Sequence, residues 1–144
     1  MESGGGTITG VGRHLKRVLP DVKIVGVDPE GSIIGGGEPG DPYLVEGIGY
    51  DFVPEILDQS LVDWYVKTDD RTSLPLALRL IREEGLLVGG SSGSAMQGAL
   101  KVAAQCGGGE RIVVVLPDNV RNYMSKFIDP AWMAAKGISG QQGI

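Results

Sequence analysis

The residues of this chain that could do chemistry gather in two glycine and hydroxyl turns. The first is Ser3-Gly4-Gly5-Gly6-Thr7-Ile8-Thr9-Gly10, and the second is Gly89-Gly90-Ser91-Ser92-Gly93-Ser94. Consecutive glycines let a backbone curl so that its N–H groups point one way, and Thr7 and Thr9 add hydroxyl donors. Val11 to Leu19 reads as a helix stopped at Pro20, which puts the first turn at a helix N-terminus. There, unpaired N–H groups and the positive end of the dipole favour an anion. The residues alone leave two readings open: a phosphate cradle, or a flexible terminal tag.

Other constellations are thin. The dinucleotide glycine pattern fails because Gly4-x-Gly6-x-x lands on Thr9, and a Walker loop fails because Gly10 is followed by Val11. Asp28 stands at a strand end roughly 20 residues past the loop, where a ribose-binding acid would be; a turn former before Pro29 is the plainer reading. His14 is the only histidine and shares its helix with Arg13, Lys16 and Arg17, which suits a solvated basic face. No Ser-His-Asp set can be built without it. Cys106 is the single cysteine, which excludes an internal disulfide and a multi-cysteine metal site. The acids show no metal-ligand spacing.

Composition bounds the class. The length of 144 residues suits one domain, and 42% hydrophobic content supports a packed core. A net charge of −5 without a basic patch argues against nucleic acid as partner. No apolar run reaches the roughly 20 residues of a membrane span, and the start reads as no signal peptide, so a cytoplasmic protein is expected.

These turns need elements to position them. Lys23 to Asp28 reads as a buried strand and Gly31 to Pro42 as a mobile loop. Val45 to Pro54 reads as neither helix nor strand, but as a glycine-spaced apolar stretch. Leu61 to Val66 reads as a second strand. A helix begins among the caps Asp69 to Ser73, carries Leu74, Leu78 and Ile81 on one face, and ends at Gly85. The second glycine turn feeds a helix from about Ala95 to Gln105. Arg111 to Leu116 reads as the clearest buried strand, Met133 to Lys136 as a last helical turn, and 139–144 as an unstructured tail. Apolar strands alternating with helices give an α/β fold with a parallel sheet.

Gly6-Thr7-Ile8-Thr9-Gly10 followed by Gly26-Val27-Asp28-Pro29 resembles the phosphate region of fold-type II pyridoxal-phosphate enzymes, the cysteine synthase/cystathionine β-synthase family. Val45 to Pro54, Glu84 to Ser94 and Leu116 to Phe127 are similar to its cystathionine β-synthase branch. Cysteine synthases differ at Tyr50-Asp51-Phe52 and at Arg121 to Met124. The resemblance runs over about residues 5–137. It implies the three-layer parallel sheet of the tryptophan synthase β-like fold, truncated at its N-terminus, with residues 1–138 as a partial catalytic domain.

The resemblance also implies a site and a reaction. Gly4, Gly5, Gly6 and Thr7 would hold the phosphate of pyridoxal 5′-phosphate, with Ser3 and Gly4 replacing a glycine and a threonine of the family loop. Ser91 would meet the pyridine nitrogen, Asp118 would lie on that side of the ring, and Gly49 and Tyr50 would stand near the amino-acid substrate. The implied activity is β-replacement: serine loses its hydroxyl and the sulfur of homocysteine takes its place, giving cystathionine. None of Lys16, Lys23, Lys67, Lys101 or Lys126 matches the family's Schiff-base lysine, so the chain alone is expected to be inactive. The haem segment of some family members has no counterpart here. Expected partners are amino-acid substrates, and either a second copy or the lysine-bearing half. A non-catalytic phosphate- or nucleotide-binding protein or partner subunit is the alternative.

Overall fold

The computed structural model describes residues 4–138; Ser3 of the first turn and the expected tail 139–144 lie outside them. The chain divides into two units, one of residues 1–42 and 47–67, the other of residues 43–46 and 68–144.

The first unit holds helix α1 (Gly6–Val18) and the two-stranded sheet of β1 (Val25–Pro29) and β2 (Trp64–Thr68). The strands are parallel and their register is visible in side chains. The Asp63 carboxylate accepts the Ile24 N–H at 2.8 Å, Tyr65 covers Gly26, and Lys67 pairs with Asp28. Gly26 is required there, because a Cβ would lie 2.3 Å from the Tyr65 ring. β2 starts three residues later than the Leu61 to Val66 reading, since Gln59–Leu61 is a 3-10 turn capped by Asp58. α1 begins five residues earlier than Val11, so the glycine turn is itself the helix start. Its anchor is Thr9, which is buried; its hydroxyl donates to the Ile56 carbonyl at 3.1 Å and accepts the Asp58 N–H at 3.0 Å.

The second unit is built on α2 (Asp70–Glu84) and α3 (Gly90–Ala103), followed by a 3-10 turn at Val120–Tyr123 and the short α4 (Pro130–Ala135). α2 obeys its sequence signals: Asp69 caps the Thr72 N–H at 2.9 Å, and Gly85 closes the helix at φ 69°. Its buried face is Ser73, Leu74, Ala77 and Leu80, rotated from the Leu74, Leu78, Ile81 stripe. The reason is α3. At Gly93 a Cβ would lie 1.8 Å from the Ser73 carbonyl oxygen, so the backbones touch and the small residues turn inward. Gln97, buried in α3, completes the seam. Its Oε1 accepts from Ser73 Oγ at 2.9 Å and its Nε2 donates to Asp69 Oδ2 at 2.7 Å.

Two expectations fail in this unit. α3 begins at Gly90, not Ala95, so Ser91, Ser92 and Ser94 are helical residues. Arg111 to Leu116 forms no ladder among the described residues, and Val113 is 83% exposed. β-branched residues favour a pleated surface only where a neighbouring strand supplies the pairing; here the nearest pairing is a single antiparallel bridge between Val88 and Asn119.

Candidate functional site

Of the predicted site residues, Gly4 to Thr7, Gly49 and Tyr50 belong to the first unit, and Ser91 and Asp118 to the second.

In the first unit the turn is made by Gly5, the residue before α1, at φ 83°. A Cβ there would be left-handed and 2.6 Å from Leu57 Cβ, so only glycine fits. No side chain caps α1 and its first turn has no acid. Among the described residues, the first N–H groups of the helix therefore keep their hydrogen-bonding capacity. Thr7 is exposed beside them. Thr9 is not a second donor, because its hydroxyl is spent on Ile56. This arrangement suits a dianionic phosphate group: backbone donors, a dipole and one hydroxyl.

Asp28 is removed from the binding residues. It is 2% exposed, and its Oδ2 accepts from Lys67 Nζ at 2.5 Å and from the Gly35 N–H at 2.8 Å. A ribose acid needs an open carboxylate, and this one is closed. His14 lies on the exposed face of α1 beside Arg17, and Cys106 Sγ–H donates to the Val102 carbonyl at 3.4 Å.

Gly49 turns the chain at φ 79°, and the Tyr50 ring stands 5.2 Å from that of Phe52, which is exposed. The stretch is held by Ser32, which sequence reading missed within the loop Gly31 to Pro42. The start of that loop is tied down, because the Ile33 N–H donates to the Tyr50 carbonyl at 2.9 Å.

In the second unit Asp118 packs against Gly89, two residues before Ser91, at the start of α3. The residue before the helix, Gly89, donates its N–H to the Asp118 carbonyl at 3.0 Å. The Asp118 carboxylate lies where a Gly89 Cβ would be, 2.0 Å from that point. Tyr123 donates its hydroxyl to Asp118 Oδ2 at 2.6 Å. Burial, with that carboxylate as acceptor, pushes the Tyr123 phenol well above its ordinary value, so it stays a donor. Tyr123 was legible only as part of the Leu116 to Phe127 similarity.

Asp118 Oδ1, Ser92 Oγ and Ser94 Oγ are buried with no hydrogen-bond partner among the described residues. Ser91 is 4% exposed in the same turn, and α3 has no side-chain cap. Buried polar atoms without partners cost about 1–3 kcal/mol each. A polar ring edge offered to a hydroxyl-lined helix start would suit them, as the pyridine end of pyridoxal phosphate does.

A family profile, pyridoxal-phosphate dependent enzyme, matches residues 3–118. The cystathionine beta-synthase of Mus musculus is 52% identical over 145 aligned residues, covering 96% of this chain and 26% of its own length. That of Dictyostelium discoideum is 53% identical over 138, covering 93% of this chain and 28% of its own. The chain thus spans about a quarter of the length of these curated relatives. Among solved structures, the O-acetylserine dependent cystathionine beta-synthase of Helicobacter pylori superposes with a TM-score of 0.79 at 40% identity. It covers 85% of this chain, which matches 40% of it.

Proposed function

The chain belongs to the pyridoxal-phosphate dependent enzymes, and from that membership we propose that it forms part of a β-replacement enzyme that condenses serine with homocysteine to give cystathionine. Its fold in that reading is the three-layer fold-type II arrangement. The observation that carries the reading is the α3 start, where Asp118 packs on Gly89, two residues before the buried Ser91; the 52% identity to a cystathionine beta-synthase supports it.

The bound cofactor would supply an electron sink for charge developing at the substrate α-carbon. The N–H groups of Gly4 to Thr7 and the Thr7 hydroxyl would hold its phosphate. Ser91 would face the ring nitrogen as a neutral partner. A hydroxyl does not hold that nitrogen protonated as a carboxylate would, which weakens the sink and favours elimination and replacement at the β-carbon over transamination. Asp118, held by Tyr123, would close the ring edge. Gly49 and Tyr50 would lie beside the amino-acid substrate.

The chain alone would not turn over. Its lysines are engaged elsewhere: Lys16 and Lys23 with Asp63, Lys67 with Asp28, Lys126 with Glu46, and Lys136 over the Trp132 ring at 5.8 Å. Lys101 is also engaged. None of Lys16, Lys23, Lys67, Lys101 or Lys126 matches the family's Schiff-base lysine, the nucleophile the reaction needs. Catalysis, in the cytoplasm, would need a Schiff-base lysine from outside these 144 residues. Among the described residues no helix is long and apolar enough to cross a membrane.

Titrating the chain with pyridoxal phosphate and, separately, with adenine nucleotides tests this reading. Saturable quenching of Trp64 and Trp132 fluorescence by pyridoxal phosphate, with no response to nucleotides, is expected. The reverse selectivity would favour the nucleotide-binding alternative. Cystathionine formed from serine and homocysteine by the chain alone would contradict the inactive reading.

A further inference from the structure

The irregular stretch that carries Gly49 and Tyr50 is held at a single buried hydroxyl. Ser32 is 1% exposed. Its Oγ–H donates to the Tyr50 carbonyl at 3.1 Å, and the same oxygen accepts the N–H of Tyr50 at 3.0 Å and of Ile34 at 3.3 Å. With the Ile33 N–H also on the Tyr50 carbonyl, both backbone groups of Tyr50 are closed as they would be in a sheet ladder. One side of that ladder is a side chain.

Ser32 is itself held from behind. Lys67 Nζ, on β2, donates to the Ser32 carbonyl at 2.5 Å and to Asp28 Oδ2, on β1, at 2.5 Å. That carboxylate oxygen also takes the Gly35 N–H at 2.8 Å. The Asp28 side chain is 3% exposed and that of Lys67 31%, so the carboxylate end of the pair is shielded from water. The chain of contacts runs from the two strands through Ser32 to the Tyr50 backbone. A residue needed only for packing at this point would be alanine, since a buried hydroxyl must be satisfied or it costs stability.

We propose that Ser32, backed by Lys67 and Asp28, is a positioning residue that sets the direction in which the Tyr50 ring is presented to the amino-acid substrate. It acts through Tyr50 and touches neither substrate nor cofactor. The proposal rests on the reading that Tyr50 stands beside that substrate.

The test uses the full chain carrying 3-fluorotyrosine, with the Tyr50 resonance identified by its loss in Tyr50→Phe, together with residue-resolved amide exchange. In Ser32→Ala, exchange at Tyr50 should rise about tenfold, the effect of losing two ordinary hydrogen bonds. The amides of α2 should keep their rates. The Tyr50 fluorine signal should move toward that of unrestrained fluorotyrosine, and its response to L-serine in the presence of pyridoxal phosphate should shrink. Ser32→Thr, which keeps the hydroxyl, should restore all three. Lys67→Met should give the same pattern at smaller size, which keeps the test decisive if Ser32→Ala does not fold. Unchanged Tyr50 exchange in Ser32→Ala, or an even rise across residues 6–67, would overturn the proposal. If the parent signal ignores L-serine while Ser32→Ala still frees Tyr50, the clamp is supported, and the placing of Tyr50 beside substrate is what fails.

Discussion

The two glycine turns look alike in sequence and are built differently. At the start of α1 the glycine before the helix is left-handed, Thr7 is exposed, and the buried Thr9 hydroxyl is satisfied by Ile56 and Asp58. At the start of α3 the preceding Gly89 is extended, and Ser91, Ser92 and Ser94 are all buried. The helix there is pressed so hard on α2 that Gly93 admits no Cβ. Among the described residues, neither start has a side-chain cap. The first offers backbone donors to charge arriving from water; the second offers neutral hydroxyls in a dry setting. In the proposed function, a phosphate would suit one and a ring nitrogen the other. Glycine and serine serve both tasks, so composition does not separate them; burial does.

Substitutions sharpen this contrast. The largest effect should be Gly93→Ala, because its methyl meets backbone atoms at 1.8 and 2.8 Å that cannot swing aside; a loss of about 3 kcal/mol or more in urea unfolding is expected. Gly5→Ala follows, with a left-handed φ of 83° and a contact to Leu57 at 2.6 Å. It should cost about 2 kcal/mol and weaken pyridoxal phosphate binding in the fluorescence titration. Removing the Asp69 cap in Asp69→Ala should cost about 1 kcal/mol. Gly6→Ala, whose methyl would sit 3.6 Å from Ile56, should change stability by less than about 0.5 kcal/mol. A comparable loss at Gly6 and Gly93 would break the contrast.

Acid titration adds a further check on the α3 side. Burial pushes the Asp69 carboxyl up, but hydrogen bonds from Gln97 and Thr72 outweigh it and hold the group below its ordinary 3.8. A depressed carboxyl stabilises the fold above its unfolded value, and that contribution is lost as pH falls through the folded one. The parent should therefore lose stability more steeply than Asp69→Asn below about pH 4.

Much of the frame was legible in the sequence because local signals and tertiary packing agree. Asp69 and Gly85 bound α2 as caps should, and the apolar run ending at Asp28 does form a parallel strand. Legibility failed where a partner decides the outcome. Arg111 to Leu116 has strand chemistry but no ladder among the described residues. Both helix starts were read too late, because glycine and serine weigh against helix until packing overrides them, as Thr9 and Gly93 show. At the site, the glycines and Ser91 were visible as residue types. Ser32 was not, because a buried hydroxyl 18 residues from its partner leaves no periodic trace; the Asp118–Tyr123 contact was not, because nothing in the residue types pairs a phenol with that acid.

The central claim is that this chain recognises the phosphate of its cofactor with the α1 turn and forms no covalent link to it. The most direct measurement compares pyridoxal phosphate with pyridoxal by fluorescence titration, followed by borohydride reduction and intact mass. The account predicts saturable, dialysable binding of pyridoxal phosphate, binding of pyridoxal weaker by at least about a hundredfold, roughly the 2.8 kcal/mol of two charge-assisted contacts, and no stoichiometric adduct on any one lysine. Equal affinity for the two, or a stoichiometric adduct on a single lysine, would contradict it.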